Sequence, residues 1–316
     1  MSALLLGIAW GIAAVLAIAG GAVIGVWWER KVAGHIQLRY GPLQIGPAGS
    51  LQMLADVPKL LFKEDIVPSA ADKPLFKWAP LMVFAPVAAS LAVIPFAAGW
   101  APLDTSVGVL FFLAVPSLEV VAILVAAWSQ RNTLAAIGGL RAASQMIAYE
   151  VPRALSVLPL VLLAGSLRPT AVLGAWQWWW MPLLSIGFIV YLIASIAEMN
   201  RGPFDLPEAE SELVAGYFAD YSGMRWAIFM MAEYGAMIAA SLFAAATFLG
   251  GGWPFGGALG TAAIVLKAAL LITVIMWVRW TFPRVRQDQL LRFCWTVLVP
   301  AALVQLVVVG VVLPWM

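Results

Sequence analysis

One cysteine, Cys294, and one histidine, His35, are all that this 316-residue chain has of the two commonest transition-metal ligands. They cannot assemble an iron-sulfur cluster, a bis-histidine haem or a structural zinc site, so any redox centre has to be brought by a partner. Cys294 opens an apolar run and reads as a packing residue, while His35 lies in a basic segment and reads as a surface or interface residue. Charge is scarce as well: Lys, Arg, Asp and Glu together make up 11% of the chain. A soluble domain keeps roughly a quarter of its residues charged, and that class is excluded. The opening stretch from Met1 to Trp28 has no early basic segment and no small-residue cleavage site, so it reads as a retained first helix and not as a leader.

What fills the chain instead is apolar: 63% of residues, with a mean hydropathy of +0.95. The apolar residues fall into eight runs, roughly 3–28, 77–98, 107–128, 147–167, 181–199, 226–249, 258–280 and 294–315, each long enough to cross a bilayer as a helix. Barrel strands would alternate polar and apolar residues, which these runs do not. The expected fold is an all-α polytopic membrane protein, a single membrane domain over 1–316. It has a cytoplasmic-side loop over 29–76 and a second, acidic loop over 198–226. Eight crossings put both termini on one side. Of the 18 Lys and Arg, 16 belong to one set of connections, Arg168 alone to the other, and Lys267 lies inside a run. The positive-inside rule puts the basic set in the cytoplasm, or in the matrix of an organelle, and both termini on the opposite side; the expected setting is a bacterial plasma (inner) membrane with both termini in the periplasm.

The first connection is more than a tether. Leu51, Leu54, Leu61 and Phe62 recur at helical spacing against Gln52, Asp56, Lys59 and Lys63, the pattern of an amphipathic helix lying at the interface, and Pro58 should kink or break it. Such a helix can simply anchor the loop, or it can wall a cavity with Asp56 and Lys59 turned inward.

Acids inside or beside apolar runs are costly unless paired or wet, and they mark ion pathways by default. Glu119 sits mid-run in the third span, Glu150 is expected to open the fourth, Glu198 ends the fifth and Glu233 lies in the sixth. One such acid could merely pair with an arginine; four on successive helices read as a chain of titratable sites. The loop after Glu198 adds Asp205, Glu208, Glu210 and Glu212, with Arg201 and Arg225 as the nearby bases in sequence. Crowded carboxylates raise one another's pKa and titrate together, which suits a proton reservoir or switch. Pro203, Phe204, Leu206 and Pro207 interleave these acids and argue for a fixed turn over a solvated tail.

Several stretches carry a resemblance in order along the chain: Glu-Arg-Lys at 29–31, Gln37-x-Arg39-Tyr-Gly-Pro42, Leu-Leu-Phe-Lys-Glu-Asp at 60–65, Gly-Leu-Arg-Ala-Ala-Ser-Gln at 139–145 with Tyr149-Glu150, Arg-Gly-Pro-Phe-Asp-Leu-Pro-Glu-Ala-Glu at 201–210, Tyr-Ser-Gly-Met at 221–224 and Arg286-x-Asp288-Gln289. Together they resemble the H subunit of respiratory complex I, the NADH:quinone oxidoreductase whose mitochondrial counterpart is subunit 1. Leu43-Gln44-Ile45, ahead of Gly46-Pro47, departs from the polar, basic sequence usual in that family.

The resemblance implies a proton-translocating enzyme subunit without a redox centre of its own. Quinone would be the substrate, with no metal or flavin held by this chain. Partners would be the soluble iron-sulfur and quinone-site subunits, the adjacent small membrane subunits and membrane lipid, and no nucleic acid. Arg30, Arg39, Asp56, Lys59, Phe204, Arg279 and Arg284 would line the quinone chamber. Glu119, Glu150, Glu198, Asp205, Glu208, Glu210, Glu212 and Glu233 would form the proton relay. Two other readings stay open on the residues alone: the anchor subunit of an energy-converting hydrogenase, and a self-contained ion transporter. The second would normally carry inverted repeats, which this chain does not display.

Overall fold

The computed structural model describes residues 3–97, 100–208 and 210–315. The described elements are helices: α1 (Ala3–Ile36), α2 (Gln52–Phe62), α3 (Lys73–Ser90), α4 (Gly108–Ala114), α5 (Leu118–Ser129), α6 (Thr133–Ala164), α7 (Pro169–Ala175), α8 (Trp180–Glu198), α9 (Glu210–Leu213), α10 (Gly223–Thr247), α11 (Gly257–Thr281), α12 (Gln287–Phe293) and α13 (Val299–Val312). Among the described residues eight helical stretches are long and apolar enough to cross a membrane. The chain is thus an all-α, multi-pass membrane protein.

Two helices organise the bundle. α6 packs against α5, α8 and α13, and α10 packs against α1, α3 and α11. Their buried faces feed two apolar cores, one built around Phe76, Phe112, Phe229 and Phe243, the other around Tyr149, Met237, Ile275 and Leu298. α1 and α13 lie outermost and turn wide apolar faces outward, as lipid-facing helices do. Exposed Trp78, Trp128, Trp178 and Trp315 sit near helix ends, where an indole spans the step from hydrocarbon to headgroup.

α1 runs on to Ile36 and α3 opens at Lys73, so both ends of the connection expected over 29–76 are helical, and three further boundaries differ from the sequence reading, each for a local reason. The fourth span does not open near 147. α6 begins at Thr133, where the Asn132 side chain caps it by accepting the Leu134 N–H at 3.1 Å, so Glu150 lies in mid-helix. The polar residues that lower hydropathy there are satisfied across the bundle: Gln145 Nε2 donates to the carbonyls of Ala197 (2.6 Å) and Phe204 (2.9 Å). The third span is broken between α4 and α5. Pro116 offers no N–H and its ring crowds the preceding turn, so Glu119 falls in the first turn of α5. The last span passes through a π-helical turn at Cys294–Leu298, just ahead of Pro300. Cys294 is buried there and donates its Sγ–H to the Ala148 carbonyl at 3.1 Å. Pro58, in contrast, interrupts nothing, for α2 runs unbroken through it.

Candidate functional site

α1, α2, α10, α11 and the segment between α8 and α9 enclose a cavity of about 680 Å³. Its size is that of a site for a sizeable organic ligand. Ala22, Val26, Met53 and Met230 make part of its wall apolar, and Glu29, Arg201, Glu208, Glu233 and Arg279 make another part charged.

Four of these charged residues, Glu29, Arg201, Glu233 and Arg279, form a single network. Arg201 is 1% exposed. Its Nη1 donates to Glu29 Oε2 at 2.9 Å, its Nε donates to Glu233, and its guanidinium lies 4.3 Å above the Tyr234 ring. Arg279 Nη1 donates to Glu29 Oε1 at 2.7 Å and stands 3.9 Å from Glu233 Oε1. The Tyr234 hydroxyl donates to Glu29 Oε2 at 2.6 Å. Two carboxylates and two guanidinium groups from three helices and one loop therefore cancel in a place where an unpaired charge would be prohibitive. Burial opposes the charge of Arg201, but Glu233 and Glu29 outweigh it and hold the guanidinium pKa well above its usual value.

Nearer the surface, Asp56 of α2 meets Arg30 and Lys59, each at 3.3 Å. These pairs are open to solvent and contribute little to stability. Arg39 also borders the cavity. Five of the seven residues expected at a quinone chamber, Arg30, Arg39, Asp56, Lys59 and Arg279, thus share one cavity wall. Phe204 does not: it is buried against Tyr149, with ring centroids 5.9 Å apart. Arg284 pairs instead with Asp205 at 3.3 Å.

The acids divide into separate settings. Glu208 and Glu233 border the cavity. Burial, then the charges of Glu233 and Asp205, push the Glu208 carboxyl well above the ordinary range. Burial also raises Asp205, against the pull of Arg284 and Arg279. Glu212 goes the other way: it is exposed, Arg141 donates to it at 2.7 Å, and that bond holds its pKa below the usual range. The bases of the acidic loop are therefore Arg141, Arg201, Arg279 and Arg284, three of them from beyond the loop in sequence. Arg225 is engaged elsewhere, with Asp65 at 2.9 Å. The side chain of Glu210 lies outside the described residues.

Deeper in the bundle, Glu198 is paired with Arg153, whose guanidinium lies 5.3 Å from the Phe112 ring centroid and 5.8 Å from that of Tyr191. Glu119 stands by the same pair, at the wall of a small cavity. Glu150, one helical turn before Arg153 on α6, is partly buried and makes no ion pair or side-chain hydrogen bond among the described residues.

Glu29, Tyr234 and Arg153 were not foreseen as site residues. Glu29 had a signal, since it opens a run of three charged residues at the end of an apolar stretch. Arg153 had the same signal as the membrane acids, a charge inside an apolar run. Nothing local marks Tyr234.

Fold and site together define a class: a multi-pass helical membrane protein with a large amphipathic cavity whose inner wall is a neutral network of buried ion pairs. The chain belongs to the NADH dehydrogenase family, whose model matches residues 10–310. It is 47% identical over 308 residues to the H subunit of the NADH-quinone oxidoreductase of Anoxybacillus flavithermus, covering 96% of this chain and 92% of that one. It is 46% identical to the protein of the same name from Geobacillus kaustophilus over 296 residues, 92% of this chain and 89% of the relative. The Bacillus thuringiensis protein of that name matches at 46% over 300 residues, 93% of this chain and 90% of the relative. The resemblance to the H subunit of complex I carried by the motifs thus holds along nearly the whole chain, and the chain is a membrane subunit of that enzyme complex.

Proposed function

We propose that this chain binds quinone in the large cavity and couples its reduction to proton translocation through the membrane arm of complex I. The observation that carries the reading is that one cavity has an apolar wall from α1 and α10, suited to an isoprenoid tail, and a wall of titratable groups leading inward. Soluble partner subunits with iron-sulfur clusters supply two electrons, and the quinone takes up two protons as it becomes quinol. Arg30, Arg39, Asp56, Lys59 and Arg279 line the chamber, and Phe204 and Arg284 act behind it, on the acidic loop. Both termini lie in the periplasm, so the cavity faces the cytoplasmic side.

The chemistry follows from charge. Glu208 is held toward its protonated form and borders the same space, so a change in quinone charge changes its proton occupancy. Asp205, Glu210 and Glu212 share the loop, and Glu233 borders the cavity with Glu208. From there the relay continues through Glu119, Glu198 and Glu150. Each unit of pKa change in one acid is worth about 1.4 kcal/mol, so several coupled acids transmit a few kcal/mol to the neighbouring membrane subunits.

Glu208→Gln tests this in the purified complex. Quinone reduction and proton translocation are expected to fall by about 100-fold, the lower end of what a proton-handling group contributes, with every subunit still assembled. Rates at the wild-type level in an assembled complex would refute the assignment.

A further inference from the structure

The small cavity has a volume of about 20 Å³ and is lined by Glu119 of α5, Arg153 of α6, Ser195 and Glu198 of α8, Phe112, and parts of α3 and α10. That is room for about one water molecule. Two polar atoms of its lining residues, Ser195 Oγ and Arg153 Nε, are buried with no hydrogen-bond partner among the described residues. Both residues are deeply buried, at 2% and 5% exposure. Ser90, Ser129 and Ser156, also buried in helices, each donate to the backbone carbonyl three residues back, at 2.7, 2.8 and 2.6 Å, whereas Ser241 of α10 shares with Ser195 the lack of a partner among the described residues. Ser195 makes no such bond, and it sits on the face of α8 that also carries Glu198, three residues on. An orphaned buried polar group is costly, and here two of them belong to residues that line the same one-water space as two carboxylates.

We propose that this cavity is a built single-water site, and that Ser195 and Arg153 are positioning residues that fix the water between Glu119 and Glu198. The inference deepens the relay reading above and rests on it. Arg153 suits the task because its pairing with Glu198 and its place between Phe112 and Tyr191 leave the Nε–H little freedom. The Arg153 Nε–H donates to the water oxygen, the Ser195 hydroxyl bonds to it, and the two water hydrogens point to the two carboxylates. These contacts give the water the two to four partners that buried waters keep. In transfer, Glu119 in its acid form gives its proton to the water as the water passes another to the Glu198 carboxylate. The water ends with two hydrogens, Ser195 and Arg153 keep theirs, and one proton has moved with no electron.

The experiment compares Ser195→Val, which fills the space with methyl groups, Ser195→Ala, which keeps the space but drops the hydroxyl, and Glu198→Gln, all in the native complex. The readouts are the rates of quinone reduction and of proton translocation, with subunit yield recorded alongside. Ser195→Val is expected to lower translocation at least about 10-fold and Ser195→Ala by less. A high-resolution map of the wild-type complex is expected to hold one solvent peak within hydrogen-bond distance of Ser195 Oγ and Arg153 Nε. Wild-type translocation by Ser195→Val, with Glu198→Gln defective, overturns the water site alone. Wild-type translocation by Glu198→Gln as well overturns the relay. If Ser195→Val does not assemble, the map and Ser195→Ala decide, and a site without the peak overturns the proposal.

Discussion

Replacing Arg201 with Gln puts the largest strain on this architecture. The wild-type guanidinium faces Glu29 and Glu233, whose side chains are 7% and 9% exposed. Without it, Arg279 alone opposes two buried carboxylates. Removing one partner of a buried ion pair costs about 3–5 kcal/mol, because the charge left behind has lost its water without keeping its compensation. Against a typical total of about 5–15 kcal/mol this is a severe loss. Membrane complexes of this kind unfold irreversibly, so the useful quantity is the half-life of the assembled complex at an elevated temperature. If the whole loss falls on the unfolding rate, about 3 kcal/mol shortens that half-life roughly 100-fold. The double variant Arg201→Gln with Glu29→Gln removes one of the stranded charges and should recover part of the loss, by about 1–3 kcal/mol of coupling. A single variant as long-lived as wild type, or a double variant no better than the single one, would mean that the network is not held as described.

Other expectations are smaller or more local. Glu208 binds its proton more tightly in the folded chain than in the unfolded one. Its contribution to stability is therefore complete below the ordinary carboxylate range and is lost as pH rises toward its raised folded pKa, and Glu208→Gln should flatten the fall in half-life measured from about pH 5 to 8. Gly138 of α6 lies against the acidic loop: a Cβ there would stand 2.9 Å from Gly216 Cα and 3.1 Å from the Pro207 carbonyl oxygen. Because backbone cannot yield as a flexible side chain does, Gly138→Ala should destabilise by about 1–3 kcal/mol and speed proteolysis of the 205–218 segment. Asn132→Ala removes the cap of α6 and should cost about 1 kcal/mol, read as a modestly shorter thermal half-life.

The membrane class, the eight runs and the acids on successive spans were legible in the chain because burial in lipid demands long apolar stretches and makes every internal charge conspicuous. The ends of the helices were not. Hydropathy cut α6 short at the polar stretch around Arg141 and Gln145, whereas helix formation needs only backbone hydrogen bonds, and those polar side chains find partners on α8 and the acidic loop. The break at Pro116 could have been anticipated from proline chemistry, but Pro58 shows why that signal is ambiguous: α2 tolerates the loss of one N–H and stays unbroken. Half of the site's logic was also hidden. The acidic loop looked short of bases because the arginines that serve it, Arg141, Arg279 and Arg284, come from α6, α11 and the segment after it. Glu29 and Tyr234 meet across 205 residues, a pairing that follows from packing and not from any local pattern.

Everything proposed for this chain depends on quinone entering the cavity between α1, α2 and α10. Photoaffinity labelling of the native complex with an azido-quinone, followed by mapping of the labelled peptides, reads that entry directly. Label is expected on residues such as Met53, Met230 and Trp226, competed by excess quinone and diminished when a bulky side chain replaces Ala22. Label confined to the soluble partner subunits, with none on these helices, would exclude quinone from the cavity.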